Sequence, residues 1–300
     1  MKIAVYLISV FTAAALAILI YNQVISYCMR KSYKNTKRDP ETGTIRGAEP
    51  IYLPGTNRRA ALLLHGFIGS PTDFGRLPKL LNEAGYAVSV PLLPGHGTDP
   101  RDFSKVTTEE LIHFARNSYN ELMKTHKEVV LVGFSMGGAL SAITAAENHV
   151  YQLVLLAPYF KIAHQWYYVL PTEVWHKWFS PYIPYTYRPL CFKQINNRDA
   201  IPYMIDYDYV SMKGTKAAFE VGGKAYRMAG RIKAETLIVH SKKDHATDFK
   251  TTEKVARLIP NQKTKLITVE NSNHILMWDN DAEHVENAVL NFLSSKGHEL

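Results

Sequence analysis

The stretch VLVGFSMGGAL, residues 130–140, constrains the fold of this 300-residue chain more than any other. A strand-like apolar run leads directly into the pentapeptide GFSMG, residues 133–137, and a run of helical length follows. A serine between two glycines at such a junction predicts a sharp turn that holds the Ser135 hydroxyl clear of the sheet. The first N–H groups of the new helix have no intrahelical acceptor, so they are available to a developing oxyanion.

The apolar pattern of the rest of the chain predicts a sheet that is buried on both faces. Runs of strand length lie at 60–64, 86–90, 129–132, 153–156, 236–239 and 265–269, and most are continuously apolar rather than alternating. Segments of helical length lie between or after them, at 72–84, 108–126, 136–147, 249–259 and 281–295. This alternation predicts an α/β domain, residues 45–300, with a doubly wound and mostly parallel sheet.

The N-terminus has the composition of a membrane segment. Residues 3–21 carry no charge, and nineteen helical residues span about 28 Å, close to the thickness of a bilayer's hydrocarbon core. We predict an uncleaved transmembrane anchor over residues 1–29. A cleaved signal peptide is the alternative, because an Ala-x-Ala sequence occurs at 15–17, but the apolar run continues past it.

The charge of the chain is concentrated next to this segment. The net charge is +8 and the pI is near 9.2, but five Lys and Arg residues lie between Arg30 and Arg38, with no acid among them. Without these five the net charge is +3, an ordinary value, which favours a juxtamembrane cluster over a nucleic-acid surface. We predict a basic linker over residues 30–44. The positive-inside rule favours the cytoplasmic side of the membrane for the domain over the periplasmic or extracellular side.

An aromatic block, residues 159–210, interrupts the alternation of strands and helices. It holds three of the four tryptophans, and five prolines divide it into short pieces. We predict that this block is a cap inserted over the site, and that most of its aromatic side chains form the cap's own core. A minority should line an apolar substrate site, with Trp166, Tyr167 and Trp175 as candidates.

A nucleophilic serine needs a base, and the base needs an acid to orient it. In a strand–turn–helix architecture of this kind the partners follow in the order serine, acid, histidine. His274 lies in a loop just past the 265–269 run and is the predicted base. Asp244 follows the 236–239 run and is the predicted acid. Asp248 is the alternative acid, with an ordinary role as a helix cap, and His245 is interpreted as structural.

A second oxyanion donor should come from the loop after an earlier strand. The run LLLHGF, residues 62–67, fits this requirement. We predict that the backbone N–H groups of Phe67 and Met136 form the oxyanion hole, and that His65 braces the loop. The chain has no P-loop, no dinucleotide-binding glycine motif and no His/Cys cluster at ligand spacing, so we expect neither a metal nor a nucleotide cofactor.

Several short motifs together carry a resemblance to a known family. They are HGF at 65–67 with Gly69, PGHG at 94–97, GFSMGG at 133–138, Asp244-His245, and NHI at 273–275. Over residues 58–295 the chain resembles the α/β-hydrolase fold, and more narrowly the bacterial carboxylesterases and monoacylglycerol lipases. The resemblance implies Ser135 as nucleophile, His274 as base, Asp244 as acid, Phe67 and Met136 as oxyanion donors, and an insert over the site.

The expected activity is hydrolysis of carboxylic esters through an acyl-enzyme. The aromatic cap and the anchor favour monoacylglycerol-like or medium-chain acyl esters. A thioesterase or an acyltransferase would use the same residues, and a prolyl-type peptidase has less support. Dehalogenase and epoxide-hydrolase chemistry is disfavoured because it needs a carboxylate in place of Ser135. A catalytically silent, membrane-tethered binding module is the alternative of another class, although such a module has no need of an intact Ser135, Asp244 and His274.

Overall fold

The computed structural model describes residues 1–164, 169–260 and 264–294. The strands of these residues are β1 Ile51–Leu53, β2 Arg59–Leu64, β3 Ala87–Val90, β4 Glu128–Phe134, β5 Gln152–Leu156, β6 Tyr185–Tyr187, β7 Tyr209–Ser211, β8 Glu235–Ser241 and β9 Lys265–Val269. The helices are α1 Lys2–Asn35, α2 Leu77–Glu83, α3 Pro100–Phe103, α4 Thr108–Met123, α5 Met136–Glu147, α6 Thr172–Phe179, α7 Met212–Met228, α8 Phe249–Leu258 and α9 Ala282–Ser294.

The main sheet has the strand order β1-β3-β2-β4-β5-β8-β9. All neighbours are parallel except β1, which pairs with β3 in the antiparallel direction at the edge. Each apolar run singled out in the sequence is a strand of this sheet, so the predicted doubly wound α/β fold is confirmed. The carboxyl ends of β4, β8 and β9 lie at one edge of the sheet, because parallel strands all point the same way.

Alternation of side chains along the strands produces two apolar layers. Leu62 and Leu64 of β2 pack on the face that is covered by α4, α5, α7 and α8, whereas Ala61 and Leu63 pack on the opposite face, under α2 and α9. Every one of these side chains is fully buried. Burial on both faces is the physical reason that the strands read as continuous apolar runs.

Helix α1 is longer than the sequence predicted. It continues through the basic residues to Asn35, so the first six residues of the predicted 30–44 linker are helical. Lys and Arg favour a helix, and the side chains of Ile25 and Met29 are buried against the domain, which holds this part of the helix in place. Among the described helices, α1 is the one long and apolar enough to cross a membrane, by length and composition.

The aromatic block lies outside the main sheet. It contains α6, short 3₁₀ turns, and a two-stranded antiparallel ribbon of β6 and β7. The sequence reading missed this ribbon, β1 and the 17-residue helix α7. Glycines obscured α7, but they serve close packing: a Cβ at Gly214 would lie 2.3 Å from the Phe103 ring, and one at Gly222 would lie 2.6 Å from the Tyr159 ring.

The turn between β4 and α5 depends on glycine at Gly137. A Cβ there would lie 1.8 Å from the backbone oxygen of Leu64, which cannot move without disturbing β2. We expect Gly137→Ala to lower the free energy of unfolding by about 3 kcal/mol or more, measured by urea unfolding. Gly223→Ala in α7 is the matched control, since its Cβ would meet only the end of Arg227 at 3.4 Å. The control should be neutral or stabilising by up to about 1 kcal/mol; equal losses in both variants would contradict this account of the turn.

Candidate active site

Ser135 occupies the turn between β4 and α5 in a strained conformation. Its φ is +52° and its ψ is −117°, outside the regions that non-glycine residues usually adopt. The turn is held by backbone hydrogen bonds: Ser135 N–H donates to the Leu156 oxygen at 3.0 Å, and Tyr159 N–H donates to the Ser135 oxygen at 2.9 Å. The strained residue is therefore anchored to the end of β5, and its side chain stands at the carboxyl edge of the sheet.

The structure brings Ser135, His274 and Asp244 together in one chain of hydrogen bonds. His274 Nε2 lies 2.9 Å from Ser135 Oγ, and His274 Nδ1 lies 2.7 Å from Asp244 Oδ2. A carboxylate only accepts, so Nδ1 carries a proton and Nε2 is free to accept one from the serine hydroxyl. Loop 271–276, after β9, holds the imidazole, because the N–H of His274 donates to the Gln194 oxygen at 3.0 Å.

Asp244 is buried and fully hydrogen-bonded. Its Oδ1 accepts the N–H groups of Ala246 and Thr247 at 2.7 and 2.8 Å, and its Oδ2 also accepts from the Thr247 hydroxyl at 2.8 Å and from His240 Nε2 at 3.0 Å. Burial by itself would raise the pKa of Asp244. The charge of His274 and the hydrogen bonds from His240 and His274 outweigh burial, so the pKa lies well below its ordinary value. The carboxylate is thus ionised throughout the physiological range.

The alternative acid, Asp248, does not reach His274 in this arrangement. It is the N-terminal cap of α8 and accepts the N–H of Thr251 at 3.0 Å. The sequence reading missed the two side chains that support Asp244, namely His240 and Thr247. The signal for His240 was its place at the end of β8, four residues before Asp244.

The loop after β2 carries the predicted second oxyanion donor, Phe67. Within the described residues the Phe67 N–H donates to no acceptor, and Met136 as the first residue of α5 has no intrahelical acceptor. His65 is buried and its Nε2 accepts the Leu93 N–H at 3.0 Å, which agrees with its interpretation as a brace. Burial lowers the pKa of His65 well below its ordinary value, so the ring is neutral.

A cavity of about 650 Å³ opens beside Ser135 and His274. Most of its lining is apolar, and its aromatic residues are Phe67, Tyr159, Phe192 and Phe219. Cavities of this size and polarity are typical of small-molecule sites. Ser135 and His274 are therefore accessible to an apolar ligand.

The sequence offered Trp166, Tyr167 and Trp175 as candidates for the lining of the substrate site, and the structure differs for Trp175. Trp175 does not line this cavity; its ring stacks on Phe179 and meets the edge of Trp178, with centroids 5.6 and 5.9 Å apart. These residues lie three and four positions apart on α6, so the ring is used in the packing of the helix itself. Trp166 and Tyr167 lie outside the described residues.

The buried carboxyl group of Asp73 holds the loop after β2 that carries Phe67. Its Oδ2 accepts the Gly66 N–H at 2.9 Å, and a Cβ at Gly69 would lie only 2.2 Å from the same oxygen. Burial raises the pKa of Asp73 to about 7; the Gly66 hydrogen bond opposes this rise, and the charge of Asp206 adds to it. Asp73 is thus the acidic group of this loop that titrates near neutral pH.

We expect the titration of Asp73 to appear in the pH dependence of stability. Because the pKa is raised in the folded state, that state binds more protons than the unfolded chain between about pH 4 and pH 7, and wild-type stability falls by up to about 4 kcal/mol as the pH rises through this window. Asp73→Asn removes the loss, so its melting temperature relative to wild type should rise from pH 4 to pH 8. Asp199→Asn, at an exposed carboxyl, is the control. A difference between Asp73→Asn and wild type that does not change with pH would refute this assignment.

Fold and geometry together define a serine hydrolase of the α/β-hydrolase fold. The sequence profile of the family called serine aminopeptidase, S33, matches residues 55–281, and the chain belongs to this family. The carboxylesterase of Bacillus subtilis (strain 168) is 24% identical over 246 residues, which are 82% of this chain and 96% of that protein. The thermostable monoacylglycerol lipase of Bacillus sp. (strain H-257) is 34% identical over 105 residues, 35% of this chain and 41% of that lipase.

Solved structures of lipolytic enzymes have a fold similar to that of this domain. A structure described for two metagenome-derived lipolytic enzymes superposes with a TM-score of 0.76 at 25% identity, covering 83% of this chain and 98% of that one. A soluble variant of the Saccharomyces cerevisiae monoglyceride lipase, in complex with a substrate analog, shares the fold with a TM-score of 0.70 at 20% identity, covering 81% and 90%. The chain is a hydrolase that acts on esters, of the esterase and lipase class.

Proposed function

We propose that this protein is a membrane-anchored serine esterase that hydrolyses monoacylglycerol-like or medium-chain acyl esters. One observation carries the proposal: the hydrogen-bonded chain of Ser135, His274 and Asp244 opens directly into an apolar cavity. Such a chain activates a serine hydroxyl, and such a cavity accepts an acyl group.

In the proposed mechanism Ser135 Oγ attacks the ester carbonyl while His274 Nε2 takes its proton. The N–H groups of Phe67 and Met136 stabilise the oxyanion of the tetrahedral intermediate. The protonated His274 gives its proton to the leaving alcohol, and the acyl group stays on Ser135. Water, activated by His274, then releases the acid. Asp244 keeps the imidazole in the required tautomer and stabilises its positive charge.

The apolar lining of the cavity supports an acyl chain as the bound group. Each methylene that leaves water contributes roughly 0.8 kcal/mol, which is about a fourfold gain in kcat/KM per carbon while the cavity has room. A volume of about 650 Å³ leaves room for a chain beyond acetate. Similarity to a lipase and a carboxylesterase supports the same substrate class.

The apolar helix α1 supports the anchor. Its 3–21 segment is uncharged and long enough to span a bilayer, and its side chains are almost entirely exposed. Basic residues follow it on the side of the domain, which favours a cytoplasmic domain.

The test of this function uses full-length protein in detergent micelles. Helix α1 is kept because part of it packs on the domain. p-Nitrophenyl esters from acetate to palmitate are compared at equal enzyme concentration. The expected result is a kcat/KM that rises from acetate to a maximum at medium or long chains. Activity confined to acetate would overturn the acyl-pocket proposal.

The alternative activities are separated by changing the leaving group or the acyl acceptor. A thioesterase or an acyltransferase is indicated by preference for acyl thioesters, or by transfer of the acyl group to an added alcohol rather than to water. The name of the matching family suggests peptidase activity as a further alternative. A peptidase would cleave aminoacyl p-nitroanilides faster than esters. The proposal expects esters to be the best substrates. If the protein hydrolyses none of these esters, thioesters or anilides, and a fluorophosphonate does not label Ser135, the result would favour the catalytically silent binding module instead.

A further inference from the structure

Helix α1 contacts the cap at the point where its apolar segment ends. The Asn22 side chain donates from Nδ2 to the Tyr182 oxygen at 2.8 Å, and the Tyr21 hydroxyl donates to the Tyr185 oxygen at 3.4 Å. Residue 22 is the first after the uncharged 3–21 segment, and one residue adds only about 1.5 Å along a helix. In a bilayer crossed by α1, this part of the cap therefore lies at the level of the interface.

The cap exposes large aromatic side chains next to this contact. Trp178, Phe179 and Tyr182 are 55%, 41% and 62% exposed, and the Tyr182 N–H donates to the Phe179 oxygen, which keeps the three close together. Aromatic side chains of this kind, with an apolar ring and in two cases a polar end, concentrate at membrane interfaces. We name these three residues the α6 tip.

We infer that the α6 tip is seated in the membrane interface beside the anchor, so that the cap faces the bilayer and the sheet faces away from it. The inference rests on the proposed anchor and goes beyond it, because an anchor alone leaves the orientation of the domain open. The occupant that we infer for the aromatic surface is the interfacial layer of lipid, because this surface adjoins the end of the apolar segment of α1.

Helix α6 connects this surface to the candidate active site. Thr172, in its first turn, lines the cavity that holds Ser135, and Trp178 lies near its other end. Eight helical residues measure about 12 Å, so the cavity lining at Thr172 and the α6 tip lie about one such helix length apart. With the α6 tip in the interface, the cavity lining at Thr172 lies close to the lipid, which shortens the path of a membrane-dissolved ester to Ser135.

The first experiment measures where the tip lies, independently of catalysis. Full-length protein with Cys28→Ser, Cys191→Ser and Tyr182→Cys is labelled with an environment-sensitive dye and reconstituted in phosphatidylcholine–phosphatidylglycerol vesicles. Spin-labelled lipids with the nitroxide near the headgroup should quench the dye and shift its emission to the blue. The matched control carries the dye at Thr125→Cys, an exposed position just before the amino end of β4, at the opposite edge of the sheet, and should show neither effect.

The outcomes separate this inference from the anchor. Protein that floats with the vesicles and shows an unquenched dye at position 182 would overturn the inference and leave the anchor in place. Protein that does not float would overturn the anchor and, with it, the inference. A blue-shifted dye that lipid nitroxides do not quench would show that protein covers the tip, as in a dimer, and would also overturn the inference.

The second experiment uses turnover. Trp178→Ser with Tyr182→Ser should lower hydrolysis of a monoacylglycerol presented in vesicles by about tenfold, while p-nitrophenyl butyrate in solution is hydrolysed at the wild-type rate, since neither side chain lines the cavity. Met123→Ser with Leu258→Ser removes two exposed apolar side chains outside the cap and should change neither rate. Equal rates on vesicles for both double variants would contradict the seating of the tip.

Discussion

Ser135→Ala is expected to lower kcat for p-nitrophenyl butyrate by about 10⁴- to 10⁶-fold, the range seen when a serine hydrolase loses its nucleophile. The reason is that no other hydroxyl lies within hydrogen-bond distance of His274 Nε2 in the described part of the chain. KM and the melting temperature should change little. The measurement is a steady-state assay with active-site titration of the wild type, so that traces of wild-type enzyme are excluded.

Ser141→Ala is the matched control for this loss. It makes the same chemical change six residues further along the chain, in α5, at a buried hydroxyl that has no hydrogen-bond partner among the described residues. Removal of an unsatisfied buried hydroxyl should be neutral or slightly stabilising, and activity should stay at the wild-type level. Full activity in Ser135→Ala would exclude the proposed mechanism, whereas equal losses in both variants would indicate damage to α5 and not to the chemistry.

Asp244→Asn is the second change with a large expected effect, a fall in kcat of about 10⁴-fold. An asparagine amide can donate to His274 Nδ1, which favours the wrong tautomer and removes the charge that stabilises the imidazolium. Stability should also fall, because Asp244 accepts five hydrogen bonds in a buried site. The measurement combines a steady-state assay with thermal unfolding, at a temperature where the variant is folded.

Asp248→Asn tests the alternative acid with the same substitution. Asn is as good a helix cap as Asp, so this variant should keep its stability to within about 0.5 kcal/mol and its activity within about twofold. Should Asp248→Asn be the inactive variant and Asp244→Asn the active one, the assignment of the acid would be reversed.

Local sequence was sufficient for most of the main sheet and for the turn at Ser135. The apolar runs are strands because burial on both faces needs continuous apolar residues, and the run at Lys265–Val269 was predicted with its observed bounds. The short strands β1, β6 and β7 were missed because three residues show no period. The glycines of α7 hid a helix whose close packing requires them.

The residues of the candidate site also fall into two groups, those that the sequence could predict and those that it could not. Ser135, Asp244 and His274 could be proposed from the sequence because each follows a recognisable strand, and parallel strands bring their carboxyl ends to one edge. His240 and Thr247 were not proposed, since the contact of each with Asp244 depends on the path of the loop after β8, which turns Asp244 and Thr247 back toward the end of the strand that holds His240. The contact of α1 with the cap joins residues about 160 positions apart, and no local pattern signals it.

The sequence by itself determined the α/β class and the strand–turn–helix at Ser135, because these follow from periodicity and from backbone preferences within a few residues. The order of the partners of Ser135 then followed from that architecture. The tertiary structure alone decided which side chains support Asp244, which aromatic residues line the cavity and where Trp175 packs. Those outcomes depend on long-range contacts, whose geometry is set by the register of the sheet and by the path of the cap over it.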